Sequence, residues 1–159
     1  KISKLVEEID SNVELLVKKM LHLMYESNGI GLAAPQVGIL KRIIVMDCSS
    51  EEEENRPYFI INPKVISSSD TFFDCDEGCL SLPNHYASVS RPDSVNIKFQ
   101  NEKREFIEKV FTGLEATCIQ HEIDHLNGIL FVDHISRLKR SVILKKLEKY
   151  KKNISNNSF

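Results

Sequence analysis

No stretch of this chain is apolar for long enough to cross a bilayer; its longest such runs, typified by Ile43–Met46, fall far short of the ~20 residues a spanning helix requires. A membrane-embedded helix is thereby excluded, and the apolar and charged fractions are those of a soluble globular protein. No basic-then-apolar leader follows Lys1, so a secretory signal is not expected and the location defaults to the cytoplasm. Neither sign of charge dominates. With 21 Lys and Arg against 23 Asp and Glu, the net charge of -2 gives no global case for binding DNA or any other nucleic acid. There is no internal repeat and no strict alternation of strand with helix, which argues against a solenoid and against a doubly wound sheet. Four cysteines, Cys48, Cys75, Cys79 and Cys118, could form two disulfides, but without a leader they are expected to be reduced thiols or metal ligands.

What is present fits one domain over residues 1–152, since 159 residues can bury one core but not two ordinary ones. Residues 153–159, polar and rich in Asn and Ser, are expected to be a disordered tail. Ser11-Asn12-Val13-Glu14 has the form of a capping box, and Val13, Leu16, Val17, Met20 and Met24 then recur at helical steps until Asn28-Gly29. Lys41–Asp47 and Tyr58–Ile66, the latter interrupted by Pro63, read as strands. Phe72 and Phe73, Val89, the Val95-Ile97-Phe99 alternation and Phe106–Phe111 add three or four more, separated by turns at Pro83-Asn84, Arg91-Pro92-Asp93 and Asn101-Glu102-Lys103. The period then changes: Leu114–Leu126 is helical and stops at Asn127-Gly128, and Ser136–Lys152 forms a last helix. This order predicts an α+β fold with antiparallel or mixed sheets and a helix at each end.

The segment His121-Glu122-Ile123-Asp124-His125 carries the chemistry. It matches H-E-x-x-H, in which two imidazoles four residues apart share one helix face and can reach one ion, with Glu122 beside them as a base for water. A catalytic site of this kind needs a third protein ligand and an open position. A third histidine at position 131 would suit one class of zinc peptidase, but Phe131 is there, and Glu148 lies on a lysine-rich surface helix. Cys79, in Glu77-Gly78-Cys79-Leu80-Ser81, is the remaining candidate, its alternative being a buried core thiol. A closed structural site formed by Cys75, Cys79, His121 and His125 also has suitable spacings, although it has no use for Glu122.

A third segment, Gly29-Ile30-Gly31-Leu32-Ala33-Ala34-Pro35-Gln36, could by itself be a helix-ending loop. Taken in order, GIGLAAPQ, EGCLS and QHEIDHLNG closely resemble the three signature motifs of peptide deformylases. That resemblance implies a metal-dependent hydrolase that removes the formyl group from the N-formylmethionine of new bacterial or organellar polypeptides, releasing formate. It implies Cys79, His121 and His125 as ligands of one divalent metal, Fe2+ physiologically, with Zn2+, Ni2+ or Co2+ able to occupy the site. Glu122 would be the general base and acid, with the Gln36 side-chain amide and the Leu80 backbone N–H stabilising the oxyanion. Gly29, Ile30 and Gly31 would pair their backbone with an extended substrate, and Leu114, Thr117 and Cys118, one and two turns before His121, would line a methionine pocket. Glu77 and Arg91 would pair as a buried ion bridge behind the Cys79 loop, and Asp124 would orient a ligand or cap a loop. His22, His85 and His134 have no recruiting spacing and read as structural or surface residues. The last helix carries Arg137, Lys139, Arg140, Lys145, Lys146, Lys149, Lys151 and Lys152 around an apolar stripe of Leu138, Val142, Leu147 and Tyr150. In some members of the family such a helix docks on the ribosome, and the partners implied are N-formylmethionyl nascent peptides and the ribosome.

Overall fold

Strand Ile43–Met46 (β2) is buried at every position, because it lies inside a sheet whose two faces are both covered. Ile43 and Val45 point to one side, into a cluster with Val13, Val17, Met20 and Met24 of the first helix; Ile44 and Met46 point to the other, against Ala116, Ile119 and Ile123 of the second. The fold, seen in a computed structural model describing residues 1–79 and 82–156, with the side chain of residue 156 left aside, is α+β. Helix α1 (Ser11–Glu26) leads into strand β1 (Gly31–Ala33) and a 3-10 turn (Ala34–Val37), followed by β2, β3 (Tyr58–Ser68), β4 (Phe72–Cys79), β5 (Leu82–Pro92), β6 (Ser94–Gln100) and β7 (Phe106–Thr112). Helix α2 (Gly113–Leu126), a second 3-10 turn (Phe131–His134) and helix α3 (Arg137–Asn156) complete the chain.

The strands form two sheets, both antiparallel: a five-stranded one in the order β1-β2-β3-β6-β7 and the β4-β5 hairpin. Pro63 interrupts β3 as its missing N–H demands, since the β3–β6 register shifts between Ile61 and Lys64. Helix α2 divides its surface: Ala116, Ile119, Ile123 and Leu126 pack on the large sheet, while His121 and His125 turn toward the hairpin. The hairpin has its own apolar contact, in which Leu82 and Val89 meet Phe131, Val132, Ile143 and Leu147.

Several details differ from the sequence reading. The cap of α1 is Asp10, whose side chain accepts from the Val13 N–H at 2.9 Å, so Ser11 is already the first helical residue. Pro83-Asn84 lies within β5 rather than in a turn, Asn84 taking a left-handed conformation (φ 61°) there. Helix α3 runs past the expected end at Lys152 through 153–156, since a helix already running continues until its side chains stop favouring it; the rest of the expected tail, 157–159, lies outside the described residues. Of the stripe expected on α3, Leu147 packs, joined by Ile143, whereas Leu138, Val142 and Tyr150 stay exposed.

Candidate metal centre

Three side chains from two elements converge beneath the hairpin. Cys79 ends β4, and His121 and His125 stand one turn apart on α2. The Cys79 Sγ lies 3.2 Å from His125 Nε2, which is 3.1 Å from His121 Nε2, and all three atoms fall within 4.8 Å of one another. Two ring nitrogens and a sulfur turned toward a common point are the donor set of a borderline-soft cation. Cys75 is outside this cluster, its sulfur directed at the Asp76 carbonyl at 3.8 Å, so the closed four-ligand alternative is not assembled.

Glu122, between the histidines, is buried, and its Oε2 has no hydrogen-bond partner among the described residues. Burial raises its pKa, and the charges of Cys79 and Glu77 add to that while the imidazoles oppose it; the result is about 7. A buried carboxyl poised near neutrality beside three ligand-type atoms is what a general base and acid requires. It also fits a cation in the site, which would offset the crowding of acidic groups. Room for Glu122 comes from Gly31, where a Cβ would fall 2.7 Å from Glu122 Oε1 and 2.7 Å from the Cys118 sulfur.

Around this centre the polar groups are tied in order. The Ala33 N–H donates to Gln36 Oε1 at 2.9 Å, which fixes the amide so that its Nε2 approaches the Cys79 sulfur at 3.4 Å. His121 Nδ1 lies 3.0 Å from Glu77 Oε2, so a carboxylate orients the ring from behind. Arg91 donates from Nε to Glu77 Oε1 and, at 2.9 Å, from Nη2 to Oε2, a buried bidentate pair. Arg91 Nη1 continues to Asp124 Oδ2 at 2.9 Å, and the same oxygen lies 2.7 Å from His134 Nε2. Burial pushes the Glu77 carboxyl up, but its bonds to Arg91 and His121 outweigh that and hold it below the usual carboxylate range. Burial likewise opposes charge on His121, yet Cys79, Glu77 and Glu122 together push its pKa up to about 10. The Cys118 thiol is held well above its ordinary range by its hydrogen bond with Cys48, by burial and by the Glu122 charge. It is a neutral thiol, donating to the Ile30 carbonyl at 3.6 Å.

A cavity of about 540 Å³ opens onto Cys79, His121 and Glu122. Asn28, Gly29, Ile30 and Gly31 line one wall, and Leu114, Thr117 and Cys118 line α2's side, so the whole expected substrate-binding set is brought to one cleft. Leu80, whose N–H was expected as an oxyanion donor, lies outside the described residues. Sequence reading missed three participants. His134 was set aside, although it closes the chain of ion pairs that begins at His121; its ten-residue separation from Asp124 crosses a turn with no helical period to reveal it. Gly78 and Tyr86 also belong to the cleft, and only the β4–β5 register pairs them.

Comparison with known proteins shows the family and the fold. Residues 1–141 match the family model described as polypeptide deformylase. A peptide deformylase of Agrobacterium fabrum is 48% identical over 149 residues, covering 92% of this chain and 86% of its own. Among solved structures, a peptide deformylase from Legionella pneumophila superposes with a TM-score of 0.88 at 41% identity, covering 98% of this chain and 90% of that one. Another from Ehrlichia chaffeensis, in complex with actinonin, gives 0.89 at 37% identity over 94% and 89%.

Proposed function

Because the chain belongs to the polypeptide deformylase family, metal-dependent hydrolases that remove the N-formyl group from nascent peptides, we propose that Cys79, His121 and His125 hold the catalytic metal and that Glu122 moves the proton. The convergence of those three donor atoms beside a buried Glu122 oxygen that has no hydrogen-bond partner among the described residues carries this assignment. A divalent cation held by Cys79, His121 and His125 would supply Lewis acidity toward the formyl carbonyl and would lower the pKa of water toward neutrality. Glu122 takes the proton of the attacking water and returns it to the departing amine, so that formate and a free N-terminus result. Gln36, its carbonyl oxygen pinned by Ala33, turns its N–H toward the oxyanion that forms; the Leu80 N–H is the second donor. Glu77 keeps His121 in the tautomer that presents Nε2 to the site, and Arg91, itself held by Asp124, keeps Glu77 ionised and in place. Gly29, Ile30 and Gly31 offer backbone to an extended peptide, while Leu114, Thr117 and Cys118 receive the methionine side chain.

The resident metal is proposed to be ferrous iron, with zinc, nickel and cobalt as substitutes; thiolate and imidazole donors accept all four. The catalytic unit spans residues 1–152 and works where formylated nascent chains are made, in the bacterial cytoplasm or, as relatives from a plant and from Plasmodium falciparum allow, in an organelle; the bacterial relatives favour the first. One assay tests the assignment: formate release from formyl-Met peptides by wild type and Glu122→Ala, with the metal content of both purified without oxygen. The expected result is iron in both proteins and a rate loss of roughly a hundredfold or more in the variant. Activity that survives the substitution would sink the mechanism.

Docking of α3 on the ribosome is proposed from its exposed lysines, which suit phosphate contacts. Ribosome pelleting at rising salt should show binding that weakens with ionic strength and disappears on charge reversal at Lys145, Lys146 and Lys149. Binding indifferent to the reversal would count against it.

A further inference from the structure

The 3-10 turn Phe131–His134 reaches the His121 ring by two routes, one apolar and one polar. From its first residue, the buried Phe131 ring stacks on that imidazole, with centroids 6.4 Å apart and planes 24° from parallel. From its last residue runs the polar route. His134 Nε2 lies 2.7 Å from Asp124 Oδ2, and Arg91 Nη1 donates to the same oxygen at 2.9 Å. Arg91 Nη2 then donates to Glu77 Oε2 at 2.9 Å, and that oxygen faces His121 Nδ1 at 3.0 Å. One short turn thus braces a ligand ring on its face and at its edge.

His134 is the outermost member of the polar route. Its side chain is 36% exposed, against 16% for Asp124 and 7% for Arg91. A carboxylate only accepts, so the imidazole nitrogen facing Asp124 carries a hydrogen and donates it. A contact this exposed contributes little to stability by itself, and its effect lies in what it fixes. Asp124 Oδ2 takes both His134 and Arg91; without His134 the carboxylate is held from one side alone. The guanidinium is a rigid plane, so its Nη1 contact with Asp124 sets the plane in which Nε and Nη2 meet Glu77. The turn itself is pinned, because Asp133 accepts from the Leu130 N–H at 2.9 Å and from Arg140 Nε at 3.1 Å. His134 is thereby kept opposite Asp124.

We propose that His134 is a positioning residue for the metal centre: presented by the 3-10 turn, it fixes Asp124 and Arg91 so that Glu77 keeps His121 aimed at the ion. This rests on the reading of Cys79, His121 and His125 as metal ligands in a deformylase.

The test uses the full chain loaded with Co2+, as wild type, His134→Ala, His134→Gln, Asp124→Ala and the double alanine variant. Three quantities are measured: the visible spectrum of the bound cobalt, its rate of loss into excess chelator, and KM and kcat for formyl-Met-Ala-amide. Losing a partner that touches a ligand costs roughly ten- to a hundredfold in metal affinity, and His134 stands three contacts further out. Cobalt loss from His134→Ala is therefore expected to be roughly three- to tenfold faster, with an altered spectrum, a lower kcat and KM within about twofold of wild type. His134→Gln, whose side-chain amide can donate to Asp124, restores all three. In the Asp124→Ala background the His134→Ala change adds less than about twofold, as two residues acting through one contact require. A His134→Ala protein that keeps the wild-type spectrum and release rate, a glutamine variant no better than alanine, or effects that multiply in the double variant overturns the inference. A wild type that takes up cobalt but releases no formate overturns the deformylase reading, and one that takes up none overturns the ligand assignment.

Discussion

Gly31 is a residue whose value lies in what it leaves empty. Its dihedrals demand nothing special of it; the space beside it is what matters, since Glu122 Oε1 and the Cys118 sulfur occupy the volume of a side chain there. Gly31→Ala should lower kcat/KM by at least tenfold by displacing the Glu122 carboxylate, at a stability cost of about 1–3 kcal/mol from overpacking. Steady-state kinetics beside a urea melt checks both, and activity within twofold of wild type would show that Glu122 tolerates the shift. At this scale the sequence was most legible where chemistry repeats on a helical period: His121, Glu122 and His125 follow from spacing alone. His134 was not legible, because its partner Asp124 is reached only after the chain turns at Asn127-Gly128 and winds through a 3-10 turn.

Elements are joined by polar contacts that no periodicity announces. Tyr25, in the last turn of α1, donates its hydroxyl to Asp47 Oδ2 at 2.5 Å just past β2, and the Asp47 N–H donates to the Ile30 carbonyl at 2.9 Å. Helix, strand and the cleft-lining glycine loop are thus held at one residue, Asp47. Burial raises the Asp47 carboxyl, but bonds from Ser49 and Tyr25 outweigh it and leave it below its ordinary value of 3.8. A carboxylate depressed in the fold contributes stability above the unfolded value and loses it as pH falls through the folded one. Tyr25→Phe should therefore be less stable than wild type by about 1 kcal/mol at neutral pH, the gap closing as pH drops below the folded value. Denaturant melts across pH 2.5–7 test this, and a gap independent of pH would assign the loss to packing. The three residues of β1 escaped the sequence reading for a related reason: Gly31-Leu32-Ala33 has no strand signature and becomes one only by pairing with Met46, Val45 and Ile44.

For the molecule as a whole, the proposed metal centre is also a joint. Cys79 belongs to the hairpin and the histidines to α2, so a cation held by all three would tie the smaller sheet to the larger body. Chelation should abolish formate release and lower the melting temperature by roughly 5–10 °C, the effect of losing a ligand present at about a hundred times its dissociation constant. Adding metal back should restore both, and Cys79→Ala should melt low with little response to chelator. A melting temperature indifferent to chelation in wild type would place the ion outside the joint.

By itself the sequence determined the helix periods, most strands, the pairing of two histidines on one helix face with a glutamate between them, and through three short motifs the family. Those features are local: side chains at fixed helical or strand intervals, or glycines at turns, write their geometry into a few consecutive residues. Only the tertiary structure decided that Gln36 aims its amide at the Cys79 sulfur, that His134 closes the chain behind His121, and that Tyr86 lies on Gly78. Each of these depends on sheet register and on the packing of α2 against the hairpin, and both are set by contacts between residues tens of positions apart.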